Sequence, residues 1–513
     1  MATFHILAST IVAACAIILL NSILRRLFNF DIVATVPGPP SPSWIYGNMI
    51  QLVLAENYGD HEFGWHKQYG PVYRVKGCFG EDRLVVSDPQ ALKYILNNPA
   101  IIHSPNNAKT FPVLFGEESV ASVHENHRRL RAAMNAGFSG SGVRNFLPVF
   151  VDVAKKVRYL AETLEAGSLP EQMISEWENA TINGRFNTHS LVLFALKRIS
   201  LPNGSWPICR TLCFGLHFAS QLALYLRSTS LNARRRNLWK TRLGILAQIL
   251  ARKVTCSVSS VRSVLHHPLC FSLSGTGGGS GFGKTGVTPS QLVHQLPVLL
   301  LAGQDTSAAA MSWAIYWLAQ NPEFQDKLRE EILNSQEGGL DYDNMPVNIL
   351  PVERTREMFP PAPLLERSAS EDCVIPFSEI VTSTGDRIHE LPVKKGQFIF
   401  LALGAYQRSE ALWGPDANEF KPSRWLAGDP CPGQTSALGP YAHLLAFLGG
   451  HRVCVGWRFA LLEMQVILAE LVGKFSFSLP KDSVVRAHLS ATQFPVDGEG
   501  AKGLWLSVAR LVN

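Results

Sequence analysis

Phe447-Leu448-Gly449-Gly450-His451-Arg452-Val453-Cys454-Val455-Gly456 leads directly into Phe459, Ala460, Leu462, Glu463 and Val466, an apolar rhythm with helical spacing. A cysteine at the mouth of a helix is a thiolate candidate, because the positive end of the helix dipole favours ionised sulfur. Gly450 and Gly456 leave the backbone on either side of Cys454 without a Cβ, so a flat group can approach the main chain closely. Phe447 can shield the sulfur from water, and Arg452 can pair with an anionic substituent of whatever is bound. A lone cysteine in a glycine-rich turn is more often a buried structural thiol.

The stretch resembles the haem-binding signature of the cytochrome P450 family, Phe-x-x-Gly-x-Arg-x-Cys-x-Gly, at every specified position. The resemblance implies that Cys454 ligates the iron of haem b, that Arg452 meets a haem propionate, and that Gly450 and Gly456 lie against the macrocycle.

Upstream, Gln291 to Leu318 is almost continuously apolar and is expected to run as a helix through the core. Ala302-Gly303-Gln304-Asp305-Thr306-Ser307 interrupts it with polar groups that are costly to bury without partners. The hexapeptide looks like the acid and alcohol motif of the same family. In that resemblance Gly303 makes room for dioxygen and substrate, while Asp305 and Thr306 pass protons. The bland alternative for Thr306 is a hydroxyl that bonds back to its own helix.

Further stretches resemble the family in order along the chain. His127 and Arg131, four apart in His127-Arg128-Arg129-Leu130-Arg131, share a helix face and would reach propionates; a basic solvated face is the alternative. Glu366-Arg367-Ser368-Ala369 is similar to a strand whose arginine, Arg367, meets a propionate. Glu353 and Arg356 match a Glu-x-x-Arg pair that would join Arg424 in a buried ionic triad behind the haem. That pair stands one residue N-terminal of its usual spacing to Phe359-Pro360-Pro361, a rotation of about 100° on a helix, and Pro351 tends to break the helix start.

The fold implied is mainly α with a smaller β-rich part, with strands expected at Val72 to Val75, Leu84 to Val86 and Phe398 to Leu403. Ile6 to Leu24 carries no charge, is long enough to cross a bilayer, and is followed by Arg25 and Arg26, so residues 1–30 read as a membrane anchor with the catalytic domain, 31–513, in the cytosol. A cleavable signal peptide is the rival reading. Val36-Pro37-Gly38-Pro39-Pro40 reads as a stiff hinge between the two. The nine cysteines are scattered, as reduced thiols of the cytosol would be, which leaves the sequons at Asn179 and Asn203 unmodified.

The chain of 513 residues carries a formal charge of +6, yet Asn179 to Gln304 contains no Asp or Glu, although the whole chain has 41. The segment holds 14 of the 47 Lys and Arg, so the remainder is net negative. A lipid or nucleic-acid surface around Arg234-Arg235-Arg236 is one reading. The simpler one is that part of this region, 179–287 in particular, is mis-spliced or frame-shifted sequence, given its weak periodicity and its Ser, Gly and Cys clustering. Gly278 to Thr285 matches a phosphate loop literally, but Gly286 and Pro289 follow where a helix must open, so no nucleotide site is expected.

A microsomal, fungal-like P450 monooxygenase is the implied activity. It would insert one atom of O2 into a lipophilic small molecule, in secondary metabolism, at the endoplasmic reticulum membrane. Electrons would come from NADPH through a separate flavoprotein reductase. Two alternatives stay open, a haem-thiolate isomerase or peroxygenase and an inactive or misfolded variant.

Overall fold

The computed structural model describes residues 32–121, 125–135, 137–152, 154–155, 158, 186–187, 289–335, 359–425, 437–440, 443–490, 492–500 and 502–511. The Ile6–Leu24 run, the phosphate-loop match and the basic triplet at 234–236 lie outside them. So do Glu353 and Arg356. Among the described residues no helix is long and apolar enough to cross a membrane.

Three of the twelve strands among the described residues lie in the first hundred of them, and most of the others follow residue 363. Helices α1 (Met49–Val53) and α2 (Glu62–Tyr69) precede the hairpin β1 (Val72–Lys76) and β2 (Asp82–Val86), then α3 (Pro89–Asn97), β3 (Ile101–His103) and α4 (Pro105–Phe115). Proline at the first position and a side-chain cap start both later helices: Asp88 accepts from the Ala91 amide at 2.8 Å, and Ser104 from the Asn107 amide at 3.4 Å. The helical body follows with α5 (Glu125–Asn135), α6 (Gly140–Arg144), the short strand β4 (Phe186–Asn187), α7 (Pro289–Gln320) and α8 (Pro322–Ser335). Strands β5 (Leu364–Ala369), β6 (Cys373–Val381), β7 (Arg387–Val393) and β8 (Phe398–Ala402) lead to the short helices α9 (Leu403–Gln407) and α10 (Glu410–Trp413). Helix α11 (Trp457–Lys474) and strands β9 (Phe475–Ser478), β10 (Arg486–Leu489), β11 (Gln493–Val496) and β12 (Trp505–Arg510) complete the chain.

The main sheet has the order β1-β2-β8-β5-β3, with β2 and β8 parallel and the other pairs antiparallel. All three expected strands fall within it, although Leu403 already begins α9. Its register sets His103 of β3 directly opposite Arg367 of β5.

The largest core joins α7 and α11, with Met311, Ile315, Leu318, Val466, Ile467 and Val472 essentially sealed from solvent. Helix α7 covers the expected Gln291–Leu318 span, and from Ser307 onward it is largely buried as an apolar helix should be. The polar hexapeptide is more open than the sequence implied. Ala302 and Gly303 are exposed and Asp305 and Thr306 half-buried, so the cost of burial falls on fewer polar atoms.

The proline stretch is no free hinge. Pro37 accepts a hydrogen bond from the Arg74 amide at 2.9 Å, and a Cβ on Gly38 would land on the Arg74 carbonyl. Glycine lets this segment lie flat on β1, and Val33 and Val36 are sunk into the core beside it.

Candidate functional site

Cys454 lies between a 3-10 turn, Gly450–Arg452, and the first turn of α11, whose N-cap is Gly456. The sulfur-bearing residue is exposed, and its amide donates to the Phe447 carbonyl at 2.8 Å, closing the loop. Phe447 itself is buried. The loop is held from below, since the buried Gln407 side chain accepts from the Leu445 amide at 3.1 Å and the Tyr406 hydroxyl donates to the His443 carbonyl at 3.1 Å. His443, Leu448 and Gly450 all adopt left-handed φ values, 62°, 57° and 61°. Two non-glycine residues held there mark strain that the surrounding packing must offset, a pattern common at working sites.

The two glycines have different jobs. At Gly450 a Cβ would strike the Leu96 carbonyl at the end of α3, so glycine is required by the protein itself. At Gly456 the nearest atom to a Cβ is the Phe138 ring at 3.7 Å, an ordinary contact that leaves that face open for a flat ligand.

Beside Cys454 the structure gathers basic groups from four elements. His127 and Arg131 project from one face of α5, as their spacing required. Arg131 donates to the Val453 carbonyl, which ties α5 to the cysteine loop, and its neighbourhood includes the Cys454 sulfur. Arg367, only 6% exposed, comes from β5. Arg452 comes from the loop, and His103, which sequence reasoning missed, from β3. No signal in the sequence marked His103, whose importance appears only when β3 pairs with the Arg367 strand.

These groups are desolvated together and repel one another. Burial first, then Arg367, Arg452 and His127, push His103 down to about 3. Burial and then Arg452 bring Arg367 to about 10, and burial and then Arg131 bring Arg452 to about 10. His127 is lowered mainly by burial, although its Nδ1 lies 2.7 Å from the Val120 carbonyl. His103 Nδ1 and His127 Nε2 are buried with no hydrogen-bond partner. A concentration of desolvated positive charge with orphaned ring nitrogens is a receptor for an anion.

The cytochrome P450 family model matches residues 37–182 and 281–496. This chain belongs to the cytochrome P450 family. The matched span leaves out 183–280. Similar curated proteins include cytochrome P450 monooxygenase 91 of Postia placenta, 30% identical with 96% of each chain covered, and monooxygenase 219 of the same fungus, 29% identical over 92% of each. Cytochrome P450 monooxygenase claO of Ampulloclitocybe clavipes is 27% identical over 96% of each chain. The present P450 is accordingly an oxidoreductase of the monooxygenase class, with a P450 fold and haem as its cofactor. Its residues fit that group on their own geometry. An exposed thiol at a helix mouth suits the iron, and the cluster of His103, His127, Arg131, Arg367 and Arg452 suits two carboxylates.

On α7 the Thr306 hydroxyl donates to the Ala302 carbonyl at 2.6 Å, the bonding pattern of a helical threonine satisfied by its own turn. A Cβ on Gly303 would meet nothing within 4 Å, so this face of the helix borders open space. Asp305 contributes charge to Lys502, whose affinity for its proton is lowered by burial and raised by that carboxylate. The Lys502 ammonium also sits 4.0 Å from the centre of the Phe494 ring, and Phe494 packs with Ala309, one turn beyond Asp305. Lys502 was invisible to motif reading because only the tertiary fold brings it to Asp305, nearly two hundred positions away.

Arg424, the described member of the expected triad, is engaged with Asp416. Their ion pair is 2.5 Å, Arg424 also donates to the Trp413 and Asp416 carbonyls, and hydrogen bonds from Lys421 and Arg424 hold the Asp416 carboxyl down at about 2.

Proposed function

We propose that this P450 inserts one oxygen atom from O2 into a C–H or C=C bond of a lipophilic small molecule in secondary metabolism. Two electrons per turnover come from NADPH through a separate flavoprotein reductase. The chain is anchored by Ile6 to Leu24 in the endoplasmic reticulum membrane, with the catalytic domain on the cytosolic side. The observation that carries the reading is Cys454 exposed at the mouth of α11 beside a desolvated cluster of five basic side chains.

When bound, the haem supplies the redox chemistry that activates dioxygen. The protein's part is to hold and to exclude. Cys454, with its amide tied to Phe447, presents sulfur at the positive end of α11, which favours the thiolate. Arg131 fixes that loop through Val453 and shares with Arg367 and Arg452 the task of neutralising the propionates, while His103 and His127 offer ring N–H donors to them. On α7 Thr306 holds a proton on its hydroxyl, now directed at Ala302. Turning it outward costs one helix-side hydrogen bond, about 1 kcal/mol. Asp305 is the adjoining group able to replace that proton from solvent.

Reduced protein exposed to carbon monoxide is expected to give the Soret band of a thiolate-ligated haem, and Cys454→Ala to abolish it. Folded, haem-loaded protein with an imidazole-type spectrum would refute the assignment. Dependence of product formation on NADPH, reductase and O2 together separates monooxygenation from isomerase or peroxygenase chemistry.

We also propose that 179–287 contains sequence foreign to the native protein. Support comes from the absence of acidic residues between Asn179 and Gln304 and from the family match, which stops at 182 and resumes at 281. Sequencing the spliced transcript across this region tests it; a message that encodes the stretch as written would overturn the idea.

A further inference from the structure

Glu62 belongs to a residue type seldom sealed inside a fold without a partner, yet it is only 2% exposed. Two phenols share its surroundings. Tyr73 of β1 is 1% exposed, and Tyr58, just ahead of α2, is 6% exposed. Among the described residues neither hydroxyl and neither Glu62 carboxyl oxygen has a hydrogen-bond partner of ordinary geometry. Each of these four atoms forfeits the hydrogen bonds that solvent gave it in the unfolded chain, so a cluster of them calls for a partner.

Local geometry brings the three side chains together. Glu62, Trp65 and Tyr69 lie along one face of α2 by their spacing of three and four, and the Tyr73 ring meets the Trp65 ring at 6.3 Å and the Tyr69 ring at 6.4 Å. The Tyr58 ring meets that of Phe63, the neighbour of Glu62, edge to face at 5.5 Å. From the other side comes the first turn of α9, where a Cβ on Gly404 would lie 2.4 Å from the Tyr58 hydroxyl. After burial itself, Glu62 is the largest influence on the proton affinity of both phenols, and it raises each. Leu52, Val75, Val85, Ala402 and Ala405 belong to the same buried apolar cluster as Tyr73.

We infer that Glu62, Tyr58 and Tyr73 enclose a binding site for one internal water molecule, which bridges the three side chains and so joins α2 to β1. A buried water commonly makes about three hydrogen bonds to groups that otherwise have none, the number these side chains offer. Both of its roles are met, since a phenol donates or accepts and a carboxylate accepts. Charge argues for a neutral occupant. A cation would face Arg408, whose guanidinium acts on both Glu62 and Tyr58, and an anion would face Glu62. Size argues for a small one, because Gly404 crowds the Tyr58 hydroxyl so closely. The bridge also bears on the helical body. Arg408 lies over the Phe63 ring at 4.8 Å and the Phe359 ring at 4.9 Å, and Phe359 stacks on Trp313 of α7 at 3.8 Å, so a continuous pile of side chains runs from α2 to α7.

The test pairs a crystal structure of the haem-loaded enzyme with thermal unfolding, at one scan rate, of Tyr58→Phe, Tyr73→Phe and the double variant. The structure is expected to show a water within hydrogen-bond distance of Glu62 and both phenols. The melts turn on a sign: deleting a buried hydroxyl that bonds nothing stabilises a protein, whereas deleting one that holds an internal water removes a bond. Each single variant is expected to unfold about 1 °C or more below the wild type. The double variant should fall by less than the sum, because both phenols hold the same molecule. A single variant that melts at or above the wild type, or two effects that simply add, would overturn the inference. A structure in which Tyr58 bonds Glu62 directly with nothing between the three groups would also overturn it, as would a metal ion at the site.

Discussion

His103 offers a way to measure how much of the haem pocket's electrostatic tension the protein carries by itself. In the folded chain its imidazole is pushed from an ordinary 6.5 to about 3 by burial and by Arg367, Arg452 and His127. A depressed value means that the folded state resists a proton which the unfolded state accepts. Stability is therefore intact above pH 6.5 and is lost as pH falls toward 3. From pH 6.5 to 5 the loss is 1.5 units at about 1.4 kcal/mol each, or about 2 kcal/mol in haem-free protein. Denaturant unfolding of the haem-free chain at a series of pH values, compared with His103→Gln, reads this directly. The wild type should fall by about 2 kcal/mol more than the variant over that interval. Haem should shrink the difference, because its carboxylates offset the neighbouring arginines. Parallel pH profiles for the two haem-free proteins would refute the reasoning.

Other expectations follow from single sites. Glu62 is 2% exposed, with neither carboxyl oxygen in a hydrogen bond of ordinary geometry, and burial raises it from 4.5 to about 7 despite Tyr58, the Ala405 amide and Arg408. Its contribution is present below pH 4.5 and lost as pH rises to 7, so Glu62→Gln should stabilise the protein at pH 8 by up to about 3 kcal/mol and flatten that pH dependence in thermal melts. Gly450→Ala should lower haem-free stability by about 2 kcal/mol or more, since it combines a left-handed φ with a backbone collision at Leu96. Gly456→Ala should leave the haem-free melt nearly unchanged, within about 0.5 kcal/mol, and reduce only haem retention.

What the sequence made legible was local chemistry with a fixed spacing. Helix α7 was visible because its apolar run has no competing period, and α11 because Gly456 opens a regular stripe. The pairing of His127 with Arg131 followed from helical geometry alone. His103 and Lys502 escaped because their partners are set by strand pairing and tertiary approach across hundreds of residues. A further demand for glycine at Gly450 was hidden for the same reason: it comes from Leu96, a neighbour no motif includes. The proline segment misled by composition, since prolines that stiffen a linker serve equally well to lay a chain flat on a sheet edge.

That last feature decides where a shortened form for expression and crystallisation should begin. Val33 and Val36 fill the interior, Thr35 accepts from the Ser383 amide at 2.8 Å, and the Arg74 guanidinium reaches the Val36 carbonyl at 3.2 Å. A start codon placed just ahead of Ile32 keeps this plug, whereas one placed at the prolines pulls it out and opens the underside of the sheet to solvent.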